Sequence, residues 1–498
     1  MNATFRFGLG IFLIMTLNMN ALSKDDNSPV LLPVKDDPTI SIRLWFKTGS
    51  QDDPAGKEGL AWLTADMLSE GSTTNNSYET ILEKLYPLAA AYSADQSMEM
   101  TIYRGRVHKD NLEEYYPLFL DGLLRPAFKE EDFARIKDRA LNYLQTILKY
   151  SSDEELGKAV LYNEIFKETP YRMTTISGLK SVTLDDVKQF YARHYTKNHC
   201  VIGLGGGFTP EFLTRLQKDL QALPQGEPKA VAKPEFEPID GLNVTIVEKD
   251  AKATAISLGF PIDILRGTKE WYALALANSW MGEHRNSSSH LFQVIRAARG
   301  LNYGDYSYIE NFPSGGQVQM PPVNVARRQQ IFEIWIRPVP NETRHFVLRA
   351  AIRELQKLVD NGLTKEQFEL TRNFLKKYAL HYAPDTDSRL GYSIDDRFYC
   401  LNGSHLEKFR QMMDELTLKD VNQAIKKHLQ YKNIKIAIIT NNAEELKKQL
   451  VSNAESPIKY DAPKSEEIYN EDKEIMKYPL KIAAEKAKIV KVEDLFIQ

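Results

Sequence analysis

The sequence predicts an α+β fold built from two copies of one unit, each copy an antiparallel-type sheet covered by helices. Three observations lead to it. At 498 residues the chain is longer than one compact core accommodates, so it divides into two domains or more. Short stretches of alternating hydrophobicity are interleaved with longer stretches of helical spacing. One segment also recurs: Thr183-Leu184-Asp185-Asp186-Val187-Lys188-Gln189 returns as Thr417-Leu418-Lys419-Asp420-Val421-Asn422-Gln423, and His194 returns as His428, at an offset of 234 residues (417 less 183). Each copy precedes an apolar strand, and Glu131-Asp132-Phe133 matches Glu366-Gln367-Phe368 at an offset of 235 (366 less 131). Two matches at nearly one spacing mark a duplicated domain of about 200 residues.

The elements follow in order. Residues 1–23 read as an export signal: Arg6 is the positive n-region, residues 7–17 the apolar core, and Ala21-Leu22-Ser23 a small-residue cleavage site before Lys24. The apolar run is too short for a permanent membrane span, and no cysteine near the cleavage point could take a lipid. The expectation is an exported protein without a membrane anchor, periplasmic if the source is a Gram-negative bacterium. The first half, residues 31–223, opens on a strand at 39–47 in which Ile40, Ile42, Leu44 and Phe46 share one face, a strand covered mainly on one side. A helix begins at Leu60, and a second spans Tyr78–Leu85. An alternating strand at 98–103 precedes helices at 112–124, 131–149 and 154–166 and a short buried strand at 200–203. Gly203-Leu204-Gly205-Gly206-Gly207 lacks the third glycine and the Lys-Ser or Lys-Thr of a phosphate loop, and reads as a turn after that strand. Residues 224–240, with Pro224, Pro228, Pro234 and Pro238, form a semi-rigid linker. The second copy takes residues 241–455. A charged tail, 456–498, ends in apolar Ile489, Val490, Val492, Leu495 and Phe496 and docks either on a partner or on the chain's own first half.

Composition narrows the function. Hydrophobic content of 43% with 26% charged residues is that of a globular protein. A net charge of −3, with Lys and Glu interspersed, gives neither a nucleic-acid footprint nor a polybasic membrane patch. Cys200 and Cys400, far apart in sequence, read as two separate buried thiols.

The first helix is informative for what it lacks. Gly59-Leu60-Ala61-Trp62-Leu63-Thr64-Ala65-Asp66-Met67-Leu68-Ser69-Glu70-Gly71-Ser72 has glycines at both ends and Leu60, Leu63, Met67 and Leu68 at helical spacing for burial. An inverted zinc site, H-x-x-E-H, needs two imidazoles one turn apart with a carboxylate between them. On this frame Trp62 and Asp66 take the histidine positions and Ala65 the glutamate. An indole cannot ligate zinc, a methyl group cannot take a proton, and one aspartate cannot hold the ion alone. Asp66 with Glu70, and His284 with His290, read as a solvated helix face and structural histidines rather than a substitute metal set.

The stretch resembles the G-L-A-H-x-x-E-H-M-L-x-x-G-[ST] segment of the pitrilysin/insulinase family of zinc metallopeptidases, which includes the mitochondrial processing peptidases. Gly59, Leu60, Ala61, Met67, Leu68, Gly71 and Ser72 match, and the metal-binding letters do not. The resemblance implies duplicated halves that close like a clamshell around a peptide chamber. It implies a third ligand on a later helix; the family's spacing lands on Tyr143, or on Gln145 or Thr146 when anchored at Pro170-Tyr171, and the window Tyr143 to Thr146 contains no carboxylate. In the second half, Leu291-Phe292-Gln293-Val294-Ile295-Arg296-Ala297-Ala298-Arg299-Gly300-Leu301-Asn302-Tyr303 resembles the family's L-R-x-x-R-G-L-x-Y segment, in which an arginine and a tyrosine face the zinc helix of the opposite half. Here these are Arg296 and Tyr303, with Arg299 the weaker candidate. Gly300 ends the helix and Tyr303 begins a strand through Tyr308.

With every ligand position empty and Arg296 and Tyr303 retained, the expectation is a non-catalytic subunit of an exported heterodimeric zinc endopeptidase. It carries no cofactor of its own, the zinc sits in a homologous partner subunit, and peptides bind extended in the chamber as an added strand. The alternative is a structural or peptide-binding protein with no role in proteolysis.

Overall fold

The computed structural model describes residues 27–228, 233–313, 315 and 318–498. The export signal at 1–23 lies outside them. The chain forms one five-stranded and one six-stranded sheet with helices between and around them.

The first sheet runs β1-β5-β2-β4-β3, from β1 (Val30–Pro33), β2 (Thr39–Phe46), β3 (Ala91–Gln96), β4 (Thr101–His108) and β5 (Cys200–Gly206). The second runs β11-β6-β10-β7-β9-β8, from β6 (Leu242–Glu248), β7 (Ala253–Ile262), β8 (Asp305–Tyr308), β9 (Gln330–Pro340), β10 (Ile434–Thr440) and β11 (Ala487–Lys491). Without β11 the two orders are the same, and β1 pairs parallel with β5 as β6 does with β10. The repeated segment is the helix leading into β5 and β10. Thr183 and Thr417 each accept from the backbone N–H three residues on, while Asp186 and Asp420 accept from the threonine N–H, so both copies start on a capping box.

Each half sends one helix onto the other's sheet. Asp153–Phe166, from the first half, covers β7, β9 and β10, where Leu156 and Val160 share a core with Ala255 and Ile439. Thr386–Phe398, from the second half, covers β1, β2 and β5, where Leu390, Ile394 and Phe398 pack with Val30, Trp45 and Val201. This corrects two readings. β2 is covered on both faces: Arg43 pairs with Asp387 (2.6 Å) and the Trp45 ring lies 5.9 Å from Phe398. The glycine run is the strand itself, since a Cβ on Gly203 would stand 2.9 Å from Ile394 Cδ1 and one on Gly205 3.2 Å from Thr386 Cγ2. Glycine here makes room for the visiting helix.

The tail belongs to both halves. Helix Glu466–Ile475 packs on the second half, β11 adds to the open edge of β6, and Val492, Leu495 and Phe496 are buried in the first half's core. Cys200 is buried and its thiol is pushed up to about 12, whereas Cys400 is exposed; the thiols are separate, but only one is buried. Cys400 escapes burial because it stands in a turn after its helix, in a left-handed conformation at φ +54°.

Candidate functional site

The frame helix spans Leu60–Glu70 and lies against β3. Its N-terminus is held from upstream: the N–H groups of Gly59 and Ala61 donate to the Asp53 carboxylate at 2.7 Å each. Gly59 is needed there, at φ +110° with Leu179 Cδ2 only 2.5 Å from where a Cβ would stand. Leu60, Leu63, Ala65, Met67 and Leu68 face the core. Ala65 is fully buried, so the position of a general base is part of the packing.

Trp62, Asp66 and Glu70 point outward toward helix Glu130–Asn142, which runs on into a π-helical turn over Tyr143–Ile147. Arg135 donates to the Glu70 carbonyl (2.5 Å), and three side-chain contacts at the ligand face join the helices as well. The Trp62 ring meets Tyr143 edge-on, with centroids 5.8 Å apart and planes at 87°. Arg139, four residues before Tyr143 on the same face, donates to Asp66 at 2.8 Å and also pairs with Glu70. Burial and the charge of Glu70 push the Asp66 carboxyl up to about 6, against the pull of Arg139. A guanidinium and an aromatic pair thus join the helices that a metal would bridge. These residues do not fit zinc: the one carboxylate at a ligand position is taken by Arg139, and its neighbours offer an indole and a phenol. Among the described residues no group of three or more His, Cys, Asp or Glu could hold a metal ion. Thr146 is exposed, away from these contacts.

Arg296 sits in a π-helical segment, Phe292–Ala297, and its guanidinium carbon lies 5.2 Å from the centre of the Tyr303 ring. Gly300 reverses the chain between them at φ +74°. Tyr303 precedes the strand rather than beginning it: β8 starts at Asp305, and the last backbone bond to β9 on this side is from the Arg337 N–H to the Gly304 carbonyl (3.1 Å). The Tyr303 side chain is 76% exposed. Among the described residues, neither Arg296 nor Tyr303 pairs its side-chain polar groups with another residue, and no hydrogen bond, ion pair or ring contact joins either to Trp62 or Asp66. Arg299 is structural, buried and paired with Asp472 (2.9 Å) and Glu471 (2.8 Å) of the tail helix. His284 and His290 are structural too: His284 bridges the Tyr308 hydroxyl (2.7 Å) and the Val318 carbonyl (2.9 Å), and His290 pairs with Glu354 (2.7 Å).

Beside Tyr303 stands Asp305, fully buried, accepting from Asn302 at 2.7 Å. Burial pushes its carboxyl up to about 8 from the ordinary 3.8. The native state therefore keeps a proton that the unfolded chain releases, so this group's stabilisation is complete below pH 3.8 and is lost as pH rises through about 8. Asp305→Asn is expected to flatten the fall in stability by up to about 1.4 kcal/mol per pH unit. Urea midpoints of both proteins between about pH 5 and about pH 8 check it.

Sequence reasoning missed Arg139. Its signal was present, a cation four residues before Tyr143, facing a helix that carries Asp66 and Glu70 at the same spacing.

Residues 30–177 match the family described as Insulinase (Peptidase family M16), and residues 181–375 match the Peptidase M16 inactive domain. The chain is similar to the "Non-peptidase homolog YmxG" of Helicobacter pylori, 24% identical over 453 residues that cover 88% of this chain and 98% of that protein. It is similar to an "Uncharacterized zinc protease" of Rickettsia bellii, 26% identical over 275 residues covering 54% and 64%. Among solved structures it shares the fold of a peptidase M16 inactive domain from Pseudomonas fluorescens (TM-score 0.72, 22% identity, covering 83% of this chain and 95% of that one). A protease from Helicobacter pylori has the same fold (TM-score 0.68, 18% identity, covering 82% and 96%).

Proposed function

The chain belongs to the M16 insulinase family of peptidases and lacks the family's zinc motif, and from that premise we propose that it is the non-catalytic subunit of an exported heterodimeric zinc endopeptidase. In this reading it holds peptides while a homologous, zinc-bearing partner cuts them. One observation carries it. The metal positions are refilled with an indole, a phenol and one carboxylate already paired with Arg139, while the pair of Arg296 and Tyr303 stays at the surface with, among the described residues, its hydrogen-bonding groups unspent.

The chemistry assigned to this chain is binding and orientation. Stacking on Tyr303 fixes the Arg296 guanidinium, whose planar fork of donors suits a peptide carbonyl. The Tyr303 hydroxyl donates to oxygen that gains charge during cleavage. The free edge of β3, beside the frame helix, offers backbone groups for an extended peptide to pair with as an added strand. The hydrolytic machinery belongs to the partner. The name of the Helicobacter relative, a non-peptidase homologue, supports a non-catalytic role. No helix among the described residues is long and apolar enough to cross a membrane.

Purified alone, the protein is expected to hold no stoichiometric zinc and to cleave no peptide. Combined with its zinc-bearing partner, a Tyr303→Phe variant should lower turnover at least about tenfold, the scale of a single transition-state donor. Chelator-sensitive cleavage by the isolated chain overturns the proposal. Unchanged turnover with Tyr303→Phe in the complex supports instead a structural or peptide-binding role outside proteolysis.

A further inference from the structure

The two halves differ most where the last two strands of each sheet join. In the first half β3 and β4 are linked by residues 97–100; in the second, β8 and β9 are linked by the long segment 309–329. Residues 309–312, 321–322 and 325–326 of this segment line a cavity of about 90 Å³, room for several water molecules, between helix Lys269–Gly282 and the helices that follow β9.

The walls are aromatic, with Trp271, Tyr308, Tyr382 and Phe409 among them, and their charges do not balance. Arg266 is the one cationic side chain on the lining, and it is already engaged. Glu310 grips its Nε at 2.9 and 3.0 Å and its Nη2 at 2.8 Å, and Asp395 lies 3.7 Å from Nη1. Its guanidinium is also caged by the rings of Trp271, Tyr392 and Tyr399 at 5.5–5.9 Å, so these walls already accept one organic cation. The two lining histidines bring no charge. The carbonyl of Val318 fixes the proton of His284 on Nε2, leaving Nδ1 to accept from Tyr308, and burial pushes its pKa down to about 4; burial likewise drives His405 well below the usual range.

Glu283 is left over. It lines the cavity, and among the described residues no cation pairs with its carboxylate. Burial pushes it up to about 7 against the pull of the Ser279 hydroxyl and the His284 backbone N–H, the response of a carboxylate without a counter-ion. Two further acceptors on the lining, Asn278 Oδ1 and Asn311 Oδ1, are buried with no hydrogen-bond partner. Two donors on the lining, Trp271 Nε1 and Arg266 Nη1, lack a hydrogen-bond partner as well, and what completes the acid side of this wall is positive charge and N–H donors on an apolar body.

We propose that this cavity binds a small organic ammonium ion, its charge on Glu283 and its alkyl portion among the rings of Trp271, Tyr382 and Phe409. A hard metal ion is disfavoured, since such ions take six or more oxygen ligands and these walls are mostly rings. The site lies apart from Arg296, Tyr303 and the frame helix, and the inference does not depend on the proposed role in proteolysis.

The test is calorimetric titration of the full-length protein with three probes of one shape: n-butylammonium, 1-butanol and butanoate. Butylammonium is expected to bind at least tenfold more tightly than butanol, and butanoate not to bind measurably. Glu283→Gln should erase the advantage of the amine while leaving butanol unaffected. Equal binding of amine and alcohol would mean a cavity that is merely apolar, and absence of binding by all three would mean that it holds only water; either overturns the proposal. The comparison on the unaltered protein decides the matter even if the variant does not fold.

Discussion

Truncation after Lys486 is expected to cost about 5–9 kcal/mol, most of the stability of an ordinary domain. The missing segment supplies β11, which pairs in parallel with β6 from Ala487 opposite Val244 to Lys491 opposite Glu248. It also supplies Val492, Leu495 and Phe496, exposed by only 3%, 7% and 5% in the first half's core, each contributing about 1.5–3 kcal/mol by burial. The segment is anchored by backbone as well: the N–H groups of Ile176 and Ser177 donate to the carbonyls of Phe496 (2.7 Å) and Ile497 (3.0 Å), and Lys149 Nζ donates to the Glu493 carbonyl (2.7 Å). Losing it also uncovers the edge of β6, a template for aggregation. Urea unfolding of the truncated chain, beside Phe496→Ala as a milder reference, measures the effect. A soluble truncated protein with an unshifted midpoint would refute this account of the tail.

A second large effect is expected at the seam between the halves. Lys158, on the helix that the first half lends to the second sheet, pairs with Glu333 of β9 at 2.8 Å, and both are almost fully buried. Four rings surround the ammonium, Tyr308 nearest at 4.5 Å. Arg327, completely buried over Tyr162 and Phe166, has no carboxylate of its own among the described residues, and Glu333 on the Tyr162 side and Glu99 on the Tyr171 side are acids next to that cluster. Glu333→Gln therefore strands Lys158, removes one of the acids whose field Arg327 shares, and is expected to cost about 3–5 kcal/mol at neutral pH. Lys158→Met should cost less, because Glu333 keeps the Tyr162 hydroxyl (3.3 Å) and the field of Arg327. Chemical denaturation of the two variants gives the order, and the reverse order would show that Arg327 does not share the acid.

The duplication was legible because its signal is local. A threonine, an acid three residues on and an apolar strand make the same capped helix wherever they occur, and they recur at one offset. The absent zinc ligands were legible for the same reason, since a ligand set at i and i+4 is written in adjacent letters. What sequence could not give is contact between the halves. Alternation in β2 suggested one covered face because the helix over its other face, Thr386–Phe398, lies hundreds of residues away. The glycines of β5 look like a turn until Ile394 is seen against them. Arg139 was hidden among other charged residues on its helix, and Glu283 is conspicuous only once Arg266, the cation on the same lining, is seen to be paired with Glu310.

The reciprocal exchange of helices also sets an order of events during synthesis. The first sheet is complete in its strands once residue 206 has emerged, yet one face waits for residues 386–398 and its core for Leu495 and Phe496. Contacts so distant along the chain make for slow maturation. Until residues 386–398 and 495–496 have been made, the early half exposes the apolar surface that they cover, the condition under which intermediates aggregate.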